Sequence, residues 1–279
     1  RGIKSARHTY KISRQGWTPQ LFATPMQAKP PTPARYHGKK QEMIWKINKD
    51  FLRRGIIEVV EPAELEAERA EKPYSQVDKM GYLQGLPFKV PIDLRPFYSI
   101  FFTAPKPGPK LDRGVLALGS KWSKGSGRFL NDYAVKLKFR MDGLIQLALM
   151  IMRDDWVMTA DLTEAYMTIH QNPRYNKLTR YQCYNRQGLI TTYQMRVLCY
   201  GHGQAPHAFT KFWAPILDYC RTVVKIRALI LLDDIIAVHQ CRVTVIRQFQ
   251  FVLDLAIYLG FIIRSPKCRL SPSRQRVWS

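Results

Sequence analysis

The stretch Ala228-Leu-Ile-Leu-Leu-Asp-Asp-Ile-Ile-Ala-Val238 sets two adjacent carboxylates, Asp233 and Asp234, in the middle of an apolar run. Aliphatic residues on both sides of the pair predict two buried strands joined at the acidic dipeptide. Burying strands around carboxylates carries a large desolvation cost unless something cationic offsets it. Two readings follow. Asp tolerates unusual backbone angles, so the pair either simply closes a tight hairpin turn, or it presents both carboxylates to a divalent cation. Asp161, which ends the shorter apolar stretch Trp156-Val-Met-Thr-Ala-Asp161, supplies a third carboxylate on a strand end.

Composition narrows the partners. With 44 Lys and Arg against 21 Asp and Glu, the 279-residue chain carries a net charge of +23. Charge that far from zero speaks to association with a polyanion, and nucleic acid is favoured over a membrane surface because no basic amphipathic helix dominates. Hydrophobic residues at 46% and aromatics at 12% support a packed core and exclude global disorder. No apolar run reaches the roughly 18 residues that span a bilayer; residues 251–263 are interrupted by Asp254 and Gly260. The chain opens on Arg1 without a signal-peptide pattern, which reads as an excised piece of a longer protein. Five scattered cysteines without a CxxC pair predict buried free thiols and an intracellular location, cytoplasm or nucleus. Cys199, His202 and His207 have a metal-like spacing but lack a fourth ligand, so chance accounts for them.

Along the chain, residues 1–40 form a basic arm rich in proline, expected to be extended. Residues 41–54 predict a helix with Ile44, Ile47 and Phe51 on one face, followed by a short strand at 56–60 and an acidic surface helix at 61–72. Residues 73–96 read as a loop insertion. Strands are expected at 97–104, 115–118, 156–161 and 189–198. Helices are expected at 141–152, capped by Asp142, and at 207–220. A last helix over 243–259 is expected to turn Ile246, Phe249, Leu253 and Ile257 inward and to stop at Gly260. The order from Asp161 onward suits one antiparallel sheet, with Asp161 and the hairpin tip on neighbouring strands and helices behind.

At this point the chain resembles a reverse transcriptase. The likeness rests on Trp156-Val-Met-Thr-Ala-Asp-Leu-Thr-Glu-Ala-Tyr-Met-Thr-Ile169, on Leu198-Cys-Tyr-Gly-His-Gly-Gln-Ala-Pro-His-Ala-Phe-Thr210, on Leu231-Leu-Asp-Asp-Ile235, and on Leu259-Gly-Phe-Ile-Ile263 with Lys267 after it. Phe97-Tyr-Ser-Ile-Phe-Phe-Thr-Ala-Pro-Lys106 and Leu130-Asn131 are similar to the family's fingers. The blocks stand in family order over roughly residues 40–275, and their flavour is that of retrotransposon polymerases, DIRS-like first and gypsy-like next.

The resemblance implies an α+β right-hand polymerase: a basic arm at 1–40, fingers over 41–155 with an insertion near 61–96, and a palm over 156–279 with an antiparallel sheet backed by helices, truncated before the thumb. It implies RNA-directed DNA polymerisation with RNA template, DNA primer and deoxynucleoside triphosphates as partners, no membrane, and two Mg²⁺ ions with Mn²⁺ as the substitute. Asp161, Asp233 and Asp234 fall on the catalytic metal-binding triad, and Leu162 on a backbone metal ligand. Tyr166 falls on the gate that excludes a ribose 2′-hydroxyl; as a plain residue it would be an aromatic packed on the sheet. Gly201 and Gln204 fall on the loop facing nucleotide. Lys106, Lys110 and Arg113 fall near the triphosphate grip and Lys267 on a proton donor to pyrophosphate, although each also suits a solvated surface cation.

Departures from the family pattern are visible. Leu231 replaces an aromatic, Cys199 a proline, and Arg264, Ser265 and Pro266 the usual polar residues after Leu-Gly-Phe; Arg113-Gly-Val-Leu-Ala-Leu118 lacks the Asp that the family pattern carries there, and 119–127 looks inserted. They leave open an inactive, nucleic-acid-binding remnant of such a polymerase. An RNA-directed RNA polymerase fits less well, because an aromatic gate would refuse its substrate. A scaffold palm fits less well because the triad is intact.

Overall fold

Apolar periodicity places the buried faces of this chain, and turn residues place its corners, over residues 2–22, 24–25, 27, 31–70, 95–105, 112–119, 129–139, 143–264 and 268–274, which the computed structural model describes. In chain order the elements are α1 (Gly2–Gln15), α2 (Gly38–Arg53), β1 (Ile57–Val59), α3 (Pro62–Ala70), β2 (Phe101–Ala104), β3 (Arg113–Leu116), α4 (Leu144–Met150) and β4 (Trp156–Thr163). There follow β5 (Arg180–Tyr184), β6 (Ile190–Met195), α5 (Ala205–Thr222), β7 (Arg227–Leu231), β8 (Asp234–His239), α6 (Arg242–Tyr258), β9 (Ile262–Ile263) and β10 (Arg269–Ser273). Helices and antiparallel sheets mix throughout, which is the α+β class expected. The chain divides into two compact units, Arg1–Trp17 with Leu137–Ile169 and Pro206–Ser279, and Thr18–Lys136 with His170–Ala205.

The first unit is built on an antiparallel sheet in the order β10-β4-β8-β7, with β9 pairing the far end of β4. Its central strand β8 reads Asp234 and then four buried residues, Ile235, Ile236, Ala237 and Val238. A strand buried on both faces needs a cover on each. On one face Leu229, Ile236 and Val238 pack with Leu147 of α4, joined by Met150, Ile151, Val157 and Leu231. Helix α6 lies along β4 and β8 and buries Val245, Phe249, Val252, Leu253 and Ala256. Burying each aliphatic or aromatic side chain of this kind contributes about 1.5–3 kcal/mol, so this layer supplies the unit's main stabilisation. Phe209 and Trp213 of α5 meet Phe261 in an aromatic cluster, with ring centroids 6.1 and 5.0 Å away.

The second unit holds a three-stranded antiparallel sheet, β1-β6-β5, and the β2-β3 hairpin. Helix α2 buries Ile44, Ile47, Asn48 and Phe51, the face that the sequence predicts. Tyr181 is fully buried between Phe101 and Tyr193 rings and donates its hydroxyl to Asn48 Oδ1 at 3.0 Å. Arg180, also fully buried, pairs with Glu64 of α3 and donates Nε to Gln194. The acidic helix α3 therefore supplies a counter-charge to a core arginine rather than only a solvated face.

Several expectations change. The basic arm is helical over Gly2–Gln15, not extended, and Thr9 anchors it by donating its hydroxyl to the Phe212 carbonyl at 3.0 Å. Helix α6 turns Val245 and Val252 inward and leaves Ile246 and Ile257 exposed. The reason is that this helix is apolar almost all round, so spacing alone does not choose its buried face. The helix expected at 141–152 is shorter, and at its start the Gly143 amide donates to Gln146 Oε1 at 2.9 Å. Asp142, most of the insertion near 61–96, and residues 120–128 lie outside the described residues. Strand β5, unforeseen, carries charged and polar residues whose partners, Glu64, Asn48 and Gln194, come from distant parts of the chain. Among the described residues no helix is long and apolar enough to cross a membrane.

Candidate active site

Strands β7 and β8 meet in a two-residue turn, with Leu231 paired to Asp234 and Leu232-Asp233 between them. Tight hairpins favour positive φ at the turn, because that backbone twist matches the strands. Leu232 adopts φ 57°, a left-handed conformation uncommon for a branched side chain and costing about 1–2 kcal/mol. Strain of that size persists where the surrounding structure over-determines the turn. Here the Leu162 amide donates to the Asp233 carbonyl at 2.7 Å, tying the turn to β4.

Strand β4 runs antiparallel to β8 with Asp161 directly opposite Asp234. Opposed residues of an antiparallel pair project to the same face with Cβ atoms about 4.5–5.5 Å apart. The two carboxylates therefore share one side of the sheet end. Asp161 is buried, whereas Asp233 and Asp234 are exposed at the hairpin tip. The Arg264 amide donates to the Asp161 carbonyl at 2.8 Å, and its guanidinium Nη1 stands 4.0 Å from Asp161 Oδ2.

Tyr166 follows in the 3₁₀ turn Ala165–Thr168, entered through Glu164 at φ 52°. Its ring is half-buried, edge-on to Phe209 with centroids 5.6 Å apart. Burial first, and the negative charge of Asp233 second, raise the phenol pKa above its ordinary value. The hydroxyl therefore stays protonated and lies within the field of the hairpin carboxylate. Leu162 is buried, and its amide is committed to Asp233.

In the second unit the turn after β6 is held from several directions. Gly201 has φ 98°, and a Cβ there would lie 2.5 Å from the Leu116 carbonyl oxygen. Only glycine fits that approach. Asn131 Nδ2 donates to the Gly201 carbonyl at 2.8 Å, and the Gly203 amide donates to Asn131 Oδ1 at 2.9 Å. Gln204 is buried; its amide donates to the Gln20 and Val135 carbonyls and accepts from the Gln20 amide. That side chain is an internal staple at the end of the turn. His202 is buried, and loss of solvent lowers its pKa to about 4, leaving a neutral ring whose Nδ1 accepts from the Gln204 backbone N–H. The Arg113 guanidinium stacks 4.3 Å over the Tyr200 ring.

Lys106, Lys110 and Lys267 lie outside the described residues. The residue reading did not single out Arg264 as a neighbour of Asp161 or Asn131 as the tie on the glycine turn. A hydrogen bond from Asn131 to a loop about 70 residues away leaves no local trace in the sequence. The departures from the family pattern have plain structural fits: Leu231 joins the aliphatic cluster on α4, and Cys199 is a buried thiol pushed up to about 12 by burial.

Among the described residues no group of three or more His, Cys, Asp or Glu side chains converges closely enough to hold a metal ion. The donor chemistry nonetheless fits a hard divalent cation: carboxylates on facing strand ends, with Asp161 and Asp234 on one face.

A family model described as reverse transcriptase (RNA-dependent DNA polymerase) matches residues 126–277, more than half of the chain and inclusive of both strand-end aspartate sites and the glycine turn. No curated protein matches the chain significantly.

Proposed function

The chain belongs to the reverse transcriptase family, and is thereby an RNA-directed DNA polymerase, a nucleotidyltransferase acting on nucleic acid and nucleotides; on that premise we propose that Asp161, Asp233 and Asp234 form its catalytic centre, in a palm backed by helices. The observation that carries the proposal is the register that sets Asp161 opposite Asp234, with the Leu162 amide bonded to Asp233. Strand pairing, not flexible side chains, positions these groups, and phosphoryl transfer asks mainly for position and charge neutralisation.

Asp161 and Asp234 would hold divalent metal, with Asp233 and the Leu162 backbone completing the set. Two Mg²⁺ ions bound there would supply Lewis acidity toward the primer 3′-hydroxyl and the triphosphate. Tyr166, rigid against Phe209 and protonated, closes the sugar side of the site and selects deoxynucleotides. The Gly201–Gly203 turn offers backbone to the substrate, while Arg113, Lys106 and Lys110 serve as triphosphate cations and Lys267 as the proton donor to pyrophosphate. The net charge of +23 supports a steep salt dependence of binding to RNA template and DNA primer. The element of origin is a retrotransposon of DIRS-like character.

The test is Mg²⁺-dependent extension of a DNA primer on an RNA template with deoxynucleotides, comparing the chain with D233N/D234N. Extension by the native chain and its loss in the double variant support the reading. Tight metal-independent binding without extension would instead establish the nucleic-acid-binding remnant.

A further inference from the structure

We infer that Asn131 is a positioning residue for the nucleotide-facing turn. It acts not by touching substrate but by closing the Gly201–Gly203 backbone into one shape. The inference rests on the polymerase reading above and adds a residue to it.

Asn131 is itself firmly placed. It lies in the 3₁₀ turn Leu130–Asp132, its amide donates to the Leu118 carbonyl at 2.8 Å, and Leu130 beside it is buried. From that base its carboxamide spans the glycine turn, donating to the Gly201 carbonyl and accepting from the Gly203 amide. A primary amide offers a donor and an acceptor side by side, so it can satisfy a carbonyl and an N–H two residues apart at once. Neither a hydroxyl nor a carboxylate does both from one rigid plane.

The glycines explain why such a tie is needed. Gly201 is pressed onto the Leu116 carbonyl at a positive φ, and glycine backbone left unrestrained samples both signs of φ readily. Gly119 completes the seat: a Cβ there would lie 2.8 Å from Asn131 Nδ2. Gly119 thus leaves room for the carboxamide, and that carboxamide removes freedom that Gly201 and Gly203 introduce. The following Gln204 is fixed separately by Gln20 and Val135, so Asn131 governs the glycine segment alone.

The experiment uses the full chain and N131A, with N131D beside it. Losing two partly exposed hydrogen bonds is expected to have roughly a tenfold effect on the turn, about 1.4 kcal/mol for the two together. For N131A the expected result is about tenfold faster amide hydrogen exchange at Gly203 and a rise of similar size in the KM for deoxynucleotide. The melting temperature and kcat should stay near their native values. N131D keeps an acceptor for Gly203 but sets a carboxylate oxygen against the Gly201 carbonyl, and is expected to behave no better than N131A. Unchanged exchange at Gly203, or a loosened turn with unchanged KM, would overturn the inference. Full extension by D233N/D234N in the same assay would overturn the polymerase reading of the aspartates instead, which keeps the two failures separate.

Discussion

Lowering the pH should weaken this fold through His202, and the size of the effect follows from its burial. The imidazole is fully enclosed, and desolvation lowers its pKa from 6.5 to about 4. Its Nδ1 accepts the Gln204 amide, a bond that only the unprotonated nitrogen can make. A depressed folded-state pKa means the unfolded chain binds the proton more readily, so stability is complete above pH ~6.5 and falls as the pH drops toward ~4. A shift of about 2.5 units corresponds to roughly 3 kcal/mol in full, of which about 2 kcal/mol is lost by pH 5. The perturbation that isolates this is H202N, whose amide oxygen can take the place of Nδ1 as acceptor but does not titrate. The assay is urea unfolding of both proteins from pH 8 to pH 5. Carboxylates and His170, whose pKa burial and Arg196 also lower, contribute to both curves and cancel in the difference. The native chain should lose about 2 kcal/mol more than H202N over that range. Parallel curves would refute the reasoning. Because His202 sits between Gly201 and Gly203, the same protonation should loosen the turn held by Asn131.

Two further outcomes follow from ion pairs around the aspartate-bearing strands. Asp155 is almost fully buried at the start of β4, takes a two-pronged contact from Arg227 at 2.6 and 2.7 Å, and accepts the Met152 amide at 2.7 Å. D155A should therefore cost about 3 kcal/mol or more by chemical denaturation, with much of the loss recovered in D155A/R227M; a cost under about 1 kcal/mol would contradict the assignment. R264Q removes the guanidinium 4.0 Å from Asp161 and should tighten Mn²⁺ binding, followed by electron paramagnetic resonance, about fivefold, since a partly exposed pair of this kind is worth about 1 kcal/mol. Weaker or unchanged Mn²⁺ binding would show that the cation does not compete for that carboxylate.

Much of the aspartate site was legible before any coordinates. Ala228 to Val238 is apolar enough that it folds as two strands, and the adjacent acids can lie only where those strands turn, so period and polarity alone located Asp233 and Asp234. The apolar stretch ending at Asp161 likewise predicts a strand whose end carries a carboxylate. Helix α2 was legible for the same reason, since Ile44, Ile47 and Phe51 repeat along one face against a charged remainder. Where that contrast fails the sequence was mute: α6 is apolar on nearly every side, and only the sheet beneath it decided that Val245 and Val252 go inward while Ile246 and Ile257 stay in water.

Long-range hydrogen bonds were beyond the sequence for a different reason. The amino-acid order determines which groups can donate and accept, but not which distant partner folding delivers. The pairing of Asp161 with Asp234 in register, the guanidinium of Arg264 beside Asp161, the carboxamide of Asn131 across the glycine turn and the burial of Gln204 depend on strand alignment and chain crossing. Local periodicity sets the elements because it is a property of neighbouring residues. Their meeting is a property of the whole fold, so the strand-end aspartates were readable in the chain, whereas the contacts that hold them in place were decided by tertiary structure alone.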